Sequence, residues 1–180
     1  MRIWMLKPDV ARYDSFLLPK EFDPEYIRAF DGRTQMSNWK PVRVQRSYHD
    51  ENLELSDYPN FCFPICSEKA VYLLKPLIGS DVEFLPVEYC EGKYCVINIL
   101  TVINAVDRSK SAYRTFRDGK RIMAFMKYAF FPEVVANVPV FKITEERTRY
   151  PFVSDAFKRV VEDNCLTGFE FTLVWDSENG

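Results

Sequence analysis

The sequence has little of what catalysis and nucleic-acid binding usually require. It contains a single histidine, His49, and has neither a Gly-x-Ser-x-Gly elbow nor a glycine-rich loop that binds phosphate. A lone histidine without a positioned partner is a poor acid–base catalyst. The net charge of −2 provides no basic field for nucleic acid. We therefore expect a protein that is not an enzyme and has no nucleic-acid partner.

Long hydrophobic runs are also missing. No window approaches the roughly 18 consecutive apolar residues that indicate a membrane span. The N-terminal stretch has no continuous apolar segment before Pro8, whereas a secretory signal carries one. These absences predict a soluble, cytoplasmic protein without a membrane partner.

Cysteines are odd in number and lack the tight Cys-x-x-Cys pairs of a zinc ribbon. The spacings Cys62-x-x-x-Cys66 and Cys90-x-x-x-x-Cys95 resemble a set of four zinc ligands only superficially, because Cys90 and Cys95 flank a predicted hairpin turn. In a chain without an export signal, reduced and buried thiols are expected, here including Cys165. We predict neither a metal site nor a cofactor.

Carboxylates are numerous enough for a second hypothesis, a hydrolase or nuclease that uses an acidic cluster. Glu83 and Glu88 lie on one predicted strand, and Asp107 ends the next. Their spacing matches no metal motif, and Asp107-Arg108-Ser109 is more simply a turn. A ligand-binding scaffold domain is a third alternative.

Prolines divide the N-terminal region into short segments. They disfavour long helices and lie at Pro8, Pro19, Pro24, Pro41 and Pro59. Alternating valines predict one short strand within residues 40–47. We interpret residues 1–52 as an irregular region packed on a main domain at 53–180.

Two main helices are predicted, each with a serine as its N-cap. Ser67 precedes apolar residues at helical spacing, and Pro76 and Gly79 should end that helix within a few residues. Ser154 precedes a second helix, whose apolar face comprises Ala156, Phe157, Val160 and Val161.

Four further segments are predicted strands, at residues 82–88, 94–106, 138–144 and 169–175. Residues 94–106 are apolar on both alternating faces, which is typical of a central strand. Alternation in the last strand should place four side chains on one face: Phe169, Phe171, Leu173 and Trp175.

Two turns connect parts of this sheet. Gly92 is predicted to supply a positive φ in one, and Asp118-Gly119 forms the other. Residues 121–131 fit either a helix or a strand. Together the elements predict an α+β fold with a largely antiparallel sheet, two main helices and an irregular N-terminal region.

Several phrases, in their order and spacing, carry a family resemblance. They include Ser67-Glu68-Lys69-Ala70, Tyr94-Cys95-Val96-Ile97-Asn98, Ala105-Val106-Asp107-Arg108-Ser109 and Leu166-Thr167-Gly168-Phe169-Glu170-Phe171. Over about residues 53–175 the chain resembles the eleventh immunity-protein family of bacterial polymorphic toxin systems. Most of the matching residues are apolar or turn-forming, so we expect a backbone requirement at Gly168 and core positions at Leu85, Val96, Ile97, Phe171 and Trp175.

The resemblance implies a bacterial antitoxin, a cytoplasmic toxin inhibitor that acts through protein–protein interaction. Its cognate toxin would be a secreted effector, often a nuclease delivered by type VI secretion. The family provides no catalytic residue to carry over. We expect a 1:1 complex of about 1,600 Å² or more that occludes the toxin's active site. Self-association through an open sheet edge at residues 169–175 stays an alternative.

Acidic clusters and exposed aromatic residues suit the basic surface of a nuclease. Three acidic pairs are expected at the solvated surface: Glu145 with Glu146, Glu162 with Asp163, and Asp176 with Glu178. A further cluster lies beside aromatic residues. We therefore predict toxin contacts at Trp39, Tyr48, Asp50, Glu51 and Glu54.

Overall fold

The computed structural model describes residues 1–18, 28–47 and 52–178. Its strands are β1 (Arg2–Pro8), β2 (Phe16–Leu17), β3 (Gln45–Arg46), β4 (Ile65–Ser67), β5 (Val82–Pro86), β6 (Tyr94–Ile99), β7 (Val102–Ile103), β8 (Ala112–Thr115), β9 (Ile122–Lys127), β10 (Val140–Ile143), β11 (Phe152–Ser154) and β12 (Phe169–Asp176). Its helices are α1 (Glu68–Ile78), α2 (Pro132–Val135) and α3 (Asp155–Asp163), with a 3-10 turn at Met36–Asn38. The predicted α+β class with mostly antiparallel sheets is confirmed.

The largest sheet has the order β12-β1-β11-β10-β7, antiparallel except for the β10–β7 pair. The N-terminal strand β1 lies inside this sheet, where Ile3 is opposite both Ser154 of β11 and Trp175 of β12. Ile3 is fully buried in a core that also contains Phe141, Phe152 and Trp175. The first residues of the chain are thus part of the principal sheet, and β12 lies at its edge. A division of the chain at residue 52 stays a prediction.

A second sheet has the order β4-β6-β5, and β6 is central, as its two apolar faces predicted. The predicted strand 94–106 does not continue, however. It stops at Ile99, where Asp81 accepts hydrogen bonds from Leu100 N at 2.9 Å and from the Thr101 hydroxyl at 2.8 Å. The chain then resumes as β7 and pairs with β10. One apolar run therefore contributes to two sheets.

Both predicted helices are present with their serine caps. The Ser67 hydroxyl accepts from Ala70 N at 3.1 Å, and the Ser154 hydroxyl accepts from Phe157 N at 3.4 Å. The first helix continues through Pro76 and is capped by Gly79. The helices bury apolar faces in a shared core that includes Leu6, Leu74, Ile78, Val153, Phe157 and Val161. Among the described residues, no helix is long and apolar enough to cross a membrane.

A β-bulge overturns the predicted single face of the last strand. Ile3 is opposite Trp175, but the next residue, Trp4, is opposite Leu173, so Val174 is the extra residue. Phe171 therefore contacts the helix-side core, whereas Trp175 packs into the opposite core. Leu173 is left 47% exposed.

The turn predictions have different outcomes. Gly119 has φ +65° in the Asp118-Gly119 turn, and the ambiguous segment after it forms strand β9. The positive φ predicted for Gly92 is wrong, because a seven-residue connection at 87–93 needs no left-handed residue in a tight turn. Gly168 has φ +82°, which confirms its special backbone role.

The five cysteines are all free thiols. Cys66 is buried and Cys95 is half-buried, as neighbours on β4 and β6. The prediction of burial is wrong for the other three, which are exposed, because they lie in loops between strands and helices rather than on core-facing positions: Cys62, Cys90 and Cys165.

Candidate functional site

Two of the five predicted toxin contacts, Trp39 and Glu54, lie in the described part of the chain. Tyr48, Asp50 and Glu51 lie outside the described residues. Trp39 follows the 3-10 turn, and Glu54 lies in the loop before β4. Their surroundings decide what each can contribute to a binding surface.

Trp39 is a half-buried anchor of the N-terminal region on the β4-β6-β5 sheet. Its ring meets Phe30 edge-to-face, with ring centroids 6.0 Å apart. Its indole N–H donates to the Pro86 carbonyl at 2.8 Å, which satisfies the only polar group of the side chain. Trp39 therefore supports the end of β5 and leaves only part of its ring for a partner.

Glu54 is exposed and lines a groove of about 390 Å³. The charged side chains of this groove are Arg46, Glu54, Asp57, Glu68, Lys69, Glu91 and Lys93. Two ion pairs cross it, Lys93 with Glu68 at 3.1 Å and Lys69 with Asp57 at 3.8 Å. Within the described part of the chain, the Glu54 carboxylate has no ion pair of its own. It is therefore available to a basic partner.

A larger concavity of about 790 Å³ continues this groove. The two share Glu68, Tyr89, Gly92, Lys93 and Tyr94, and the second is mostly apolar, with walls that include Val44, Val71, Pro86 and Val87. Pro86, which accepts the hydrogen bond from the Trp39 indole, is one of its wall residues. The two concavities form one surface, which we name the β5–β6 groove: Glu54 lines it, and Trp39 contacts one of its walls.

Two titratable groups in the walls of this groove, the Tyr94 phenol and the Cys95 thiol, are neutral. Burial, with the negative charge of Asp57 as a second cause, raises the pKa of Tyr94 to about 12. Burial and then the charge of Glu68 raise the pKa of the Cys95 thiol. A neutral thiol is a poor nucleophile. The raised pKa therefore makes Cys95 a poor candidate for a nucleophile.

The carboxylates of the nuclease hypothesis have separate structural roles. Glu83 accepts hydrogen bonds from Gln35 N at 2.8 Å and from the Asn98 amide at 2.9 Å. Asp107 accepts from Ser109 N at 3.0 Å and so closes its own turn. Glu88 is exposed. Across the described ranges no three His, Cys, Asp or Glu residues are grouped to hold a metal ion, and His49 lies outside those ranges.

Glu145 and Glu146 do not form the solvated acidic surface that the sequence predicted. Each side chain is 6% exposed. Glu145 pairs with Arg108 at 2.8 Å, and Glu146 pairs with Arg149 at 3.2 Å while accepting from the Tyr128 hydroxyl at 2.8 Å. The prediction is wrong because these carboxylates are buried beside partners: Arg108 and Tyr128 come from other segments, and Arg149 lies three residues along the chain.

Two exposed features were missed by sequence reasoning. Tyr72 on α1 is 78% exposed, although it falls among the apolar residues of the helix. The β8–β9 hairpin exposes Phe116, Met123 and Met126. The signal for the hairpin was available in the sequence as a concentration of basic residues around Asp118-Gly119.

Comparison with known proteins assigns the chain to a family. A sequence model of an immunity protein family, Imm11, matches residues 39–176, which is well over half of the chain. The match includes both described contact residues, all the walls of the β5–β6 groove and the β8–β9 hairpin. A search of curated proteins found no match. The chain therefore belongs to the Imm11 family of immunity proteins.

Proposed function

We propose that this protein binds a cognate bacterial toxin in a 1:1 complex in the cytoplasm and neutralises it by covering its active site. Family membership is the observation that carries the proposal. The toxin would be a secreted, nuclease-type effector of a polymorphic toxin system. Protection by occlusion requires tight binding, so we expect sub-nanomolar affinity, roughly −12 kcal/mol or better.

The β5–β6 groove supports inhibition by contact. It offers a concave, mostly apolar wall, the exposed Glu54 carboxylate, and a half-buried indole, Trp39, that contacts the wall residue Pro86. Interfaces commonly combine an apolar centre with a charged rim. A protruding basic segment of a nuclease would be complementary to Glu54 and to the proposed contacts Tyr48, Asp50 and Glu51 beside it in the chain.

The neutral state of Tyr94 and Cys95 supports the same conclusion. Tyr94 has a pKa of about 12, and the pKa of Cys95 is also raised, so neither side chain is ionised at neutral pH. A neutral phenol and a neutral thiol lose less hydration on binding than charged side chains do. A partner can therefore cover this part of the groove at a small desolvation cost.

Co-expression tests the proposal directly. The partner is the C-terminal domain of the protein encoded beside this chain, produced in a bacterial host with and without the chain. We expect that domain to stop growth, and the chain to restore growth and to co-purify with it at 1:1. A toxic domain that is neither bound nor neutralised would refute the proposed function for this pair.

Surface variants then locate the contact. Glu54→Arg should raise the Kd about tenfold by placing like charges together, without changing thermal stability. The matched control is Glu133→Arg, since Glu133 is an exposed carboxylate on α2, outside the groove. Equal Kd values for the two variants would exclude Glu54 from the interface. Trp39→Ala is unsuitable alone, because loss of its packing also destabilises the fold.

A further inference from the structure

The β8–β9 hairpin, which we name the basic hairpin, comprises residues 112–127. Among the described strands, its two pair only with each other. The tip at Asp118-Gly119 is exposed, and apart from the adjoining residues no described atom lies within 4 Å of the place where a Gly119 side chain would begin. The hairpin therefore projects from the domain as an arm.

Charge is concentrated on this arm. It holds five basic residues and one acidic residue, so it carries +4 while the rest of the chain carries −6 of the total −2. Arg121 pairs with Asp118 at 2.7 Å. Within the described ranges, no carboxylate pairs with the other four cations, Arg114, Arg117, Lys120 and Lys127. Like charges held close together repel, so this arrangement does not serve the stability of the free protein.

Apolar side chains lie among these charges because of two β-bulges. Ala112 is opposite Lys127 and Tyr113 is opposite Phe125, so Met126 is the extra residue of the first bulge. Arg114 is opposite Ala124 and Thr115 is opposite Ile122, so Met123 is the extra residue of the second. Met126 is 61% exposed and Met123 is 43% exposed. Bulges commonly redirect side chains at functional edges.

The two faces of the arm differ. Phe125 packs inward, with its ring 5.8 Å from Tyr113 and 4.8 Å from Tyr128. By strand alternation, Arg114 and its partner Ala124 belong to the opposite, outer face. The exposed side chains of the arm thus combine cations with the bulged methionines.

This combination favours a protein partner over nucleic acid. The inner aromatic rings pack on each other, and the half-exposed ring of Phe116 at the tip has the Arg121 guanidinium over it, 5.1 Å from the ring centroid. Single-stranded nucleic acid is usually bound on free aromatic rings. Methionine and arginine, in contrast, are enriched in protein interfaces, and the net charge of −6 elsewhere repels phosphate.

We propose that the basic hairpin is a second contact arm that docks on an acidic, partly apolar surface of the toxin domain, separate from the β5–β6 groove. The identity of the partner rests on the proposed function. Attachment through a basic arm and through the exposed Glu54 carboxylate of the groove favours one orientation of the complex, because a rotated toxin would meet like charges at both places.

The test compares three double variants in binding to the purified toxin domain at low and physiological salt. Arg114→Glu with Arg117→Glu should raise the Kd at least tenfold and flatten its salt dependence. Met123→Ser with Met126→Ser should raise the Kd but keep the salt dependence. The control is Lys75→Glu with Arg159→Glu, exposed cations on α1 and α3, which should bind as the wild type does. Thermal unfolding verifies that each variant is folded.

The possible outcomes separate the two proposals. If the wild type binds the toxin domain and both hairpin variants bind it with the same Kd, the contact-arm proposal is overturned and the proposed function is left intact. Absence of wild-type binding overturns the proposed function. Binding of fluorescent oligo(dT) or oligo(U) by the wild type, lost in the arginine variant, would overturn the protein partner in favour of nucleic acid.

Discussion

The side-chain amide of Asn98 donates a hydrogen bond of 2.9 Å to Oε2 of Glu83 across the β5–β6 pair. The same amide donates to the Arg33 carbonyl at 2.9 Å, and Glu83 also accepts from Gln35 N. Asn98 is fully buried on the central strand. This polar pair therefore fastens the segment before the 3-10 turn to the sheet that forms the groove.

Glu83→Gln should lower the free energy of unfolding by about 1–2 kcal/mol at neutral pH, because hydrogen bonds to a carboxylate are stronger than those to an amide. Partial burial works to raise the pKa of Glu83, but hydrogen bonds from Gln35, Thr34 and Asn98 outweigh it and hold the pKa below the ordinary value of 4.5. Because the pKa of Glu83 is lower in the folded state than in the unfolded state, its ionised carboxylate stabilises the fold at pH values above the unfolded pKa. This stabilisation is lost as the pH falls through the folded pKa.

The difference in the free energy of unfolding between Glu83→Gln and the wild type should therefore become smaller below pH 4.5. Urea unfolding of both proteins across this range measures it. Glu88→Gln is the control, since Glu88 is exposed and only 3.9 Å from Arg43, and it should change stability by under about 0.5 kcal/mol. A pH-independent difference would show that the carboxylate charge has no role.

Gly168→Ala should be severely destabilising, by about 3 kcal/mol or more. Its φ of +82° is left-handed, and an added Cβ would lie 2.0 Å from Ser56 Oγ and 2.9 Å from the Tyr58 carbonyl. Gly119→Ala separates the causes, because Gly119 has φ +65° and nothing within 4 Å. It should cost only about 1 kcal/mol in thermal or urea unfolding. Similar losses would mean that backbone strain, and not crowding, governs both positions.

Trp175→Ala should lower the free energy of unfolding by about 3–5 kcal/mol, whereas Leu173→Ala should lower it by less than about 1 kcal/mol. Trp175 is 7% exposed and Leu173 is 47% exposed because the bulge at Val174 places them differently. Simple alternation would bury both to a similar extent. Chemical denaturation of the two variants distinguishes these registers, and equal losses would contradict the bulge.

Lys142→Met should change how stability depends on pH. Lys142 is 3% exposed and donates to the Phe30 carbonyl at 2.7 Å. Burial lowers its pKa from 10.5 to about 8, with Asp31 acting in the opposite direction. Between about pH 8 and 10.5 the unfolded chain therefore binds more protons at Lys142 than the folded chain does. The buried lysine thus destabilises the folded state below about pH 8, and the free energy of unfolding rises as the pH increases toward 10.5.

Relative to Lys142→Met, the wild type should therefore gain stability between pH 8 and 10.5, by up to about 1.4 kcal/mol per pH unit. Urea midpoints of the two proteins, measured in the same buffers, remove the contributions of other titrating groups. A stability difference between the two proteins that stays constant across this pH window would show that Lys142 is protonated equally in the folded and unfolded states.

Local features of this fold were predictable because neighbouring residues decide them. Ser67 and Ser154 cap helices through backbone groups three residues ahead. Gly119 and Gly168 have left-handed φ values that glycine adopts most readily. The central position of β6 followed from apolar side chains on both of its faces. The family resemblance also came from short ordered phrases of this kind.

Features that depend on distant segments were not predictable. The strand predicted at 94–106 divides because Asp81 binds the backbone and side chain at the break. Glu145 and Glu146 turn inward because Arg108 and Tyr128 are brought beside them. For the candidate site, the sequence suggested Trp39 and Glu54 but not the groove that Glu54 lines and Trp39 supports.

By itself, the sequence determined the local elements: capped helices, glycine turns, apolar strands and membership of an immunity protein family. Only the tertiary structure decided which strands share a sheet, where bulges reverse a face, and which charges remain without partners on the surface. The physical reason is that caps and turns are satisfied by nearby atoms. Burial and ion pairing depend instead on segments that meet only after the chain has folded.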